Sequence, residues 1–195
     1  MKETLEQTAE RVFGELLETC SADQITFVMI ADRAGITRQA IYYHYSGKRD
    51  LVSAYIQNML ARILEGYDTY HSWVEGFRMV LEHFQADRTR VDHIYFSRYR
   101  DDFLQAMNVY GNMIFQRAVD HVSNDFNYPV KAEDRHFMVR FYCYVFIGLI
   151  CDYIEAGMQE DPMTIAARSN IMMHHSIRTS LRKFNEQSLK QAART

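Results

Sequence analysis

Apolar side chains recur along this chain at helical spacing from one end to the other. Leu5, Ala9, Val12, Phe13, Leu16, Leu17 and Cys20 return every three or four residues, the stripe that one helix needs to bury a face. Thr4 ahead of it and Gln7 three residues on form a capping-box pattern. After a polar break at 21–24, Thr26 is placed to cap a second helix, with Ile25 and Ile30 at the two positions of a hydrophobic staple. Ala34-Gly35-Ile36-Thr37 reads as a tight turn: the glycine ends one helix in the left-handed region and the threonine caps the next. That third helix, 37–44, turns Ala40, Ile41 and Tyr45 inward and leaves Arg38, Gln39, Tyr42, Tyr43 and His44 outward.

The same period continues to the end of the chain. Ser46 or Gly47 caps a fourth helix, with Asp50 in its first turn and Leu51, Tyr55, Ile56, Met59, Leu60 and Ile63 on one face, ending near Gly66. Beyond it the pattern predicts helices over 72–86, 90–98 and 101–124, a loop at 124–129, a long helix over 132–158 and a last one from Asp161-Pro162 to about 185. The expected fold class is all-α, with nine helices and no strand. Only two prolines and eight glycines occur, too few for a turn-dense sheet protein. The expected division is a DNA-binding domain over 1–50 and a second domain over 51–195, with the helix over 48–66 as connector.

Composition narrows the function. At 195 residues and 48% hydrophobic, the chain can bury a real core. Its formal charge of −3 gives no general attraction to nucleic acid, so any such contact needs a local patch. One exists: Arg33, Arg38, Lys48 and Arg49 fall within 33–49, a stretch with no Asp or Glu. Cys20, Cys143 and Cys151 are odd in number and widely spaced, which suits a reducing compartment. The first residues are too polar for a signal peptide, and the apolar run 137–151 falls short of the roughly 20 residues a span needs and contains Arg140. The expected location is cytoplasmic, with no membrane partner. No phosphate loop, nucleotide turn, nucleophile elbow or zinc-ligand spacing is present; His136 with Cys143, and His174-His175, do not make a four-ligand set. No enzyme activity, cofactor or metal is expected.

Two short helices joined by the Gly35 turn make a helix-turn-helix, whose second helix enters the major groove of DNA. Arg38 and Gln39 are the expected base readers, since arginine can pair with guanine and glutamine with adenine. Thr26, Tyr43, His44 and Lys48 are the expected backbone contacts, Tyr42 is open between the two roles, and Thr37 is a further DNA-binding candidate. The plain alternative is a helical hairpin with a solvated basic edge.

Thr26, Ile30-Ala31, Ala34-Gly35-Ile36-Thr37, Tyr42, His44-Tyr45, Lys48 and Leu51 resemble the N-terminal signature of TetR-family transcriptional regulators. Gln39 departs from it where many relatives carry glycine or proline, and Tyr45 where phenylalanine is usual. Gly148, Tyr153, Gly157-Met158 and Asp161-Pro162 resemble a C-terminal pattern of the branch found near dihydroxyacetone-kinase-like genes. The resemblance implies a homodimer built from the last two long helices, a palindromic double-stranded DNA operator and a small-molecule effector that releases a repressor. The apolar strip Phe137, Phe141, Tyr144, Val145, Gly148, Leu149 and Asp152 agrees with such a pairing. The expected effector pocket is Phe77, Phe96, Phe103, Met107, Tyr110 and Tyr142, for which ordinary core packing is the competing reading. The alternative function is the same fold binding a protein partner through its C-terminal domain, as an activator.

Overall fold

The structure is a computed structural model that describes residues 3–67, 72–173 and 175–192. Among the described residues every regular element is a helix: α1 Leu5–Leu16, α2 Phe27–Ala34, α3 Arg38–His44, α4 Lys48–Ile63, α5 Trp73–Ala86, α6 Arg88–Tyr95, α7 Arg100–Asp125, α8 Ala132–Glu155, α9 Pro162–Met173 and α10 Ser176–Ala192. The all-α expectation holds. The expected last helix is present as two segments, α9 and α10, with His175 in the left-handed region at φ 64°. His174 and Arg194 lie outside the described residues.

The helix ends follow local chemistry. The Thr4 hydroxyl accepts from the Gln7 amide while the Gln7 side chain accepts from the Thr4 amide, so the capping box is closed in both directions. Thr26 accepts from the Met29 amide at 3.3 Å and Thr37 from the Ala40 amide at 3.1 Å. Asp50 reaches back to the Ser46 amide at 3.1 Å, and Asp161 accepts from the Thr164 amide at 2.9 Å.

The chain forms two compact units. The first comprises Met1–Arg62 with His83–Met107, the second Ile63–Glu82 with Asn108–Thr195. Packing therefore draws a different line from the expected functional boundary at 50. The reason is that α4 buries Leu51, Val52, Tyr55 and Ile56 alongside Val12 and Phe13 of α1 in the first unit. In that unit Phe13 meets Tyr55 edge-on at 5.3 Å, and Phe103 lies among Phe84 and Tyr95.

In the second unit Phe146 of α8 is the hub of an aromatic row. Trp73 and Phe77 meet it edge-on at 5.3 and 4.6 Å, Phe115 at 5.0 Å, and Phe115 stacks on Tyr142 at 5.9 Å. The α8 helix is continuous well beyond its apolar run and is long and apolar enough to cross a membrane. Core helices share that property. Its Met138, Val139, Tyr142, Cys143, Phe146, Ile150, Tyr153 and Ile154 are buried within the unit, and Arg140 and Asp152 stand on its exposed side.

Gly35 ends α2 at φ 66°, and a side-chain carbon added there meets nothing within 4 Å. The cost of replacing it is therefore backbone strain alone. Gly35→Ala should lose about 1–2 kcal/mol of stability, and Gly35→Asn distinctly less, measured by urea unfolding.

Candidate nucleic-acid interface

The candidate surface is the two-turn helix α3 with the start of α2. Ile41 is fully buried and Tyr45 nearly so, which turns the opposite side outward. Tyr45 carries a hydroxyl where the family signature has phenylalanine, and it donates to Glu10 of α1 at 3.1 Å. Glu10 also accepts from Asn58 of α4 at 2.8 Å. One carboxylate thus ties the end of α3 to α1 and α4, and burial with the Glu10 charge pushes the Tyr45 phenol well above its ordinary range.

Of the expected contacts, Thr26, Thr37, Arg38, Gln39, Tyr42 and Tyr43 are exposed together on this surface. Tyr43 is 85% exposed. Tyr42 is 60% exposed, with its ring edge-on to Phe27 at 5.0 Å, which limits how far it can swing. His44 is less free: its Nδ1 lies 2.6 Å from Glu6 of α1. The Glu6 carboxyl is held below its usual range, mainly by a backbone amide, with Thr4 and His44 adding to it.

The four basic residues of the local patch divide sharply. Arg33 pairs with Glu15 at 3.0 Å and Arg49 with Asp102 at 2.7 Å. Lys48 is turned inward. Its ammonium donates to the backbone carbonyls of Ala22 at 2.9 Å, Asp23 at 2.9 Å and Ile25 at 2.6 Å. An ammonium has three N–H groups, and all three are engaged. Lys48, expected as a phosphate anchor, is thus committed to backbone carbonyls in the free chain. Among the described residues Arg38 alone of the four is engaged by neither a carboxylate nor a backbone carbonyl.

Glu15 of α1 and Asp102 of α7 neutralise two members of this patch, while Glu6 and Glu10 of α1 engage His44 and Tyr45 at the end of α3. The sequence reading did not assign them. They lie far along the chain from the residues they meet, and no short-range spacing marks such pairs.

The expected pocket residues are divided between the two units. Phe96, Phe103 and Met107 belong to the first unit, and Phe77, Tyr110 and Tyr142 to the second. Phe96 sits at the end of α6 and is 64% exposed, with its ring edge-on to Tyr95. Phe103 is fully buried core. Phe77 and Tyr142 share the aromatic row around Phe146 and Phe115. Of the expected pairing residues, Phe141, Val145, Gly148 and Asp152 are exposed on α8 and Leu149 is half-buried. Cys143 is buried, and burial pushes its thiol up to about 11. Among the described residues no three His, Cys, Asp or Glu side chains converge for a metal.

A sequence profile for the N-terminal region of "bacterial regulatory proteins, tetR family" matches residues 8–55. A second, for a "transcriptional regulator C-terminal region" of the same family, matches residues 71–175, more than half of the chain. The chain belongs to the TetR family. It is a transcriptional regulator with the TetR fold. No curated protein sequence matches it. Similar solved structures include the dihydroxyacetone kinase operon activator DhaS, with TM-score 0.69 and 14% identity over 89% of this chain and 96% of that one. The fatty acid degradation regulator FadR from Bacillus halodurans aligns with TM-score 0.63 and 13% identity, over 91% and 99%. The TetR-family repressor AlkX from Dietzia sp. strain DQ12-45-1b, implicated in biodegradation of n-alkanes, gives 0.55 and 15% over 91% and 97%. These identities speak for the fold.

Arg11 and Arg33 both bond to Glu15, Arg11 at 2.5 Å, and these two bonds hold its carboxyl below the usual range. A lowered carboxyl contributes stability that is present above the ordinary carboxylate pKa and is lost as pH falls through the lowered value. Glu15→Gln should therefore be less stable than wild type at pH 7, with the gap narrowing as pH falls below the ordinary carboxylate range, followed by urea midpoints at each pH.

Proposed function

We propose that this TetR-family regulator binds a palindromic operator as a homodimer and is released from it by a small-molecule effector. The observation that carries the DNA-reading part is the exposed cluster Arg38, Gln39, Tyr42 and Tyr43 on α3, where no carboxylate among the described residues reaches Arg38. The first turn of a recognition helix is the part that meets base edges, and Arg38 and Gln39 are the first two residues of α3. Thr26, Thr37 and Tyr43 are the backbone contacts in this reading, and Tyr42 stands between them and the readers.

Pairing rests on α8 and α9. Phe137, Phe141 and Tyr144 of α8 are each more than half exposed, as are Met163, Ile171 and Met172 of α9. Residues of α8 and α9 also line a groove of about 350 Å³, formed by Val145, Leu149, Ile165, Ser169, Met172 and Met173 with Glu160 and Arg168. An apolar surface of this kind on a single chain is the signature of an interface. A two-fold dimer would set its half-sites roughly 34 Å apart or somewhat more.

The effector reading rests on the second unit, where Phe77 and Phe115 meet Phe146, Phe115 stacks on Tyr142, and the Tyr142 hydroxyl donates to Ser176 at 3.2 Å. The sign of regulation has a second reading. DhaS, which shares the fold over nearly the whole chain, is named an operon activator. An activator would use the same operator contacts and present a surface to a protein partner.

Electrophoretic shift on the gene's own upstream region tests the main reading. Wild type should give a specific shift, and its absence at low salt across the whole region would remove the DNA-binding conclusion. Arg38→Ala should cost about 1–3 kcal/mol at one operator base pair and little on operators altered there, read from affinities across operator variants. Equal losses on every variant would take Arg38 off the list of readers. Phe141→Glu should shift the protein from dimer to monomer in sedimentation while the helical circular dichroism signal persists.

A further inference from the structure

Lys48 opens α4, yet its side chain serves the turn between α1 and α2. The three carbonyls it meets, those of Ala22, Asp23 and Ile25, converge on one nitrogen. Ile25 immediately precedes Thr26, the cap of α2, so the third bond fixes the point where the helix-turn-helix begins. The turn is held from other sides as well. The Ala22 amide donates to the His93 carbonyl at 2.9 Å, and Arg98 bonds to Asp23 at 2.9 Å. The Tyr99 ring lies 5.4 Å from the ammonium and closes off one side of it. Buried carbonyls need a donor, and the backbone amides of this turn are engaged elsewhere: those of Gln24 and Ile25 both donate to the Ser21 carbonyl.

We propose that Lys48 is a positioning residue for the DNA-reading helices: it acts on operator affinity by clamping the α1–α2 turn to the start of α4, and not by touching a phosphate. The proposal rests on the operator-binding reading above. A clamp and a phosphate contact differ in what they need. A phosphate accepts arginine as readily as lysine, whereas the flat guanidinium fork does not place three donors on carbonyls that converge on one point. A phosphate contact also releases counterions, and its loss flattens the salt dependence of binding; loss of a clamp does not.

The test uses Lys48→Gln and Lys48→Arg in the full chain, with three measurements. In the free protein, both variants should exchange the amide hydrogens of Ala22, Gln24 and Ile25 faster than wild type and melt about 4 °C or more lower. Well below the melting transition, where all forms are folded, both should bind the operator about tenfold more weakly. Their affinity should keep the wild-type slope against salt concentration. A destabilised but correctly posed protein would not lose affinity under those conditions. The proposal is overturned if Lys48→Arg matches wild type and Lys48→Gln lowers the salt slope by about one per subunit with unchanged amide exchange. If wild type binds no operator, the DNA-binding reading fails by itself, and the exchange and melting measurements still decide the clamp. If Lys48→Gln does not fold, Lys48→Arg, which keeps the charge, carries the comparison.

Discussion

A helix of seven residues does not persist in water on its own; isolated helices shorter than about 12 residues are marginal. The α3 helix is that short, and the surface read as the DNA interface is made almost entirely of its side chains. Its order has to come from elsewhere. Thr37 supplies a donor-satisfying cap at one end, and Ile41 anchors the middle by complete burial. Tyr45, bonded to Glu10, and His44, facing Glu6, fasten the other end to α1. The α2 helix before it is only eight residues and is held by the Thr26 cap and by Gly35 in the left-handed region. These fastenings explain why so many polar side chains near the interface point inward. They are occupied in holding two short helices in register with α1 and α4.

That occupation has an electrostatic consequence. A chain of net charge −3 cannot rely on long-range attraction to a polyanion, and here the local basic patch is neutralised from within. Glu15 covers Arg33, Asp102 covers Arg49, and backbone carbonyls absorb Lys48. Among the described residues Arg38 remains unpaired, beside the uncharged side chains of Thr37, Gln39, Tyr42 and Tyr43. A surface composed this way favours hydrogen bonding over charge density, so binding through it would depend on fit more than on the counterion release that dominates nonspecific association. Under the proposed reading, pre-arrangement of α3 matters more than the number of cations beside it.

The parts of this architecture that were legible in the sequence are those whose cause is local. Thr4 with Gln7, Thr26, Gly35, Thr37 and Asp161 each act on amides within about four residues, so their spacing along the chain is their spacing in space. The apolar period likewise placed Ile41 and Tyr45 inward. What escaped were contacts whose partners are distant in sequence. Lys48 looks like any basic residue at a helix start, and nothing near it announces that the carbonyls of Ala22, Asp23 and Ile25 wait for its ammonium. Phe96 and Phe103 are indistinguishable as aromatic residues seven apart, yet one ends a helix in solvent and the other sits among Phe84 and Tyr95. The division of the last expected helix into α9 and α10 carries no proline or glycine to mark it.

The α8 helix poses the reverse problem, a signal with too many causes. Apolar residues surround it, a pattern that suits a membrane span, a buried core helix or an interface helix equally by sequence. Position separates them. One face is consumed by the aromatic row around Phe146. The other presents Phe137, Phe141 and Tyr144, with Arg140 over the Tyr144 ring at 5.7 Å. Lipid would not welcome that guanidinium, whereas an interface rim would. Gly148 bears on the same choice. Nothing lies within 4 Å of where its side chain would be, so no packing inside the unit explains a residue that weakens a helix by about 1 kcal/mol relative to alanine. Under the proposed pairing, a second α8 related by two-fold symmetry would bring backbone close to it on both subunits at once, and its small size would admit that approach.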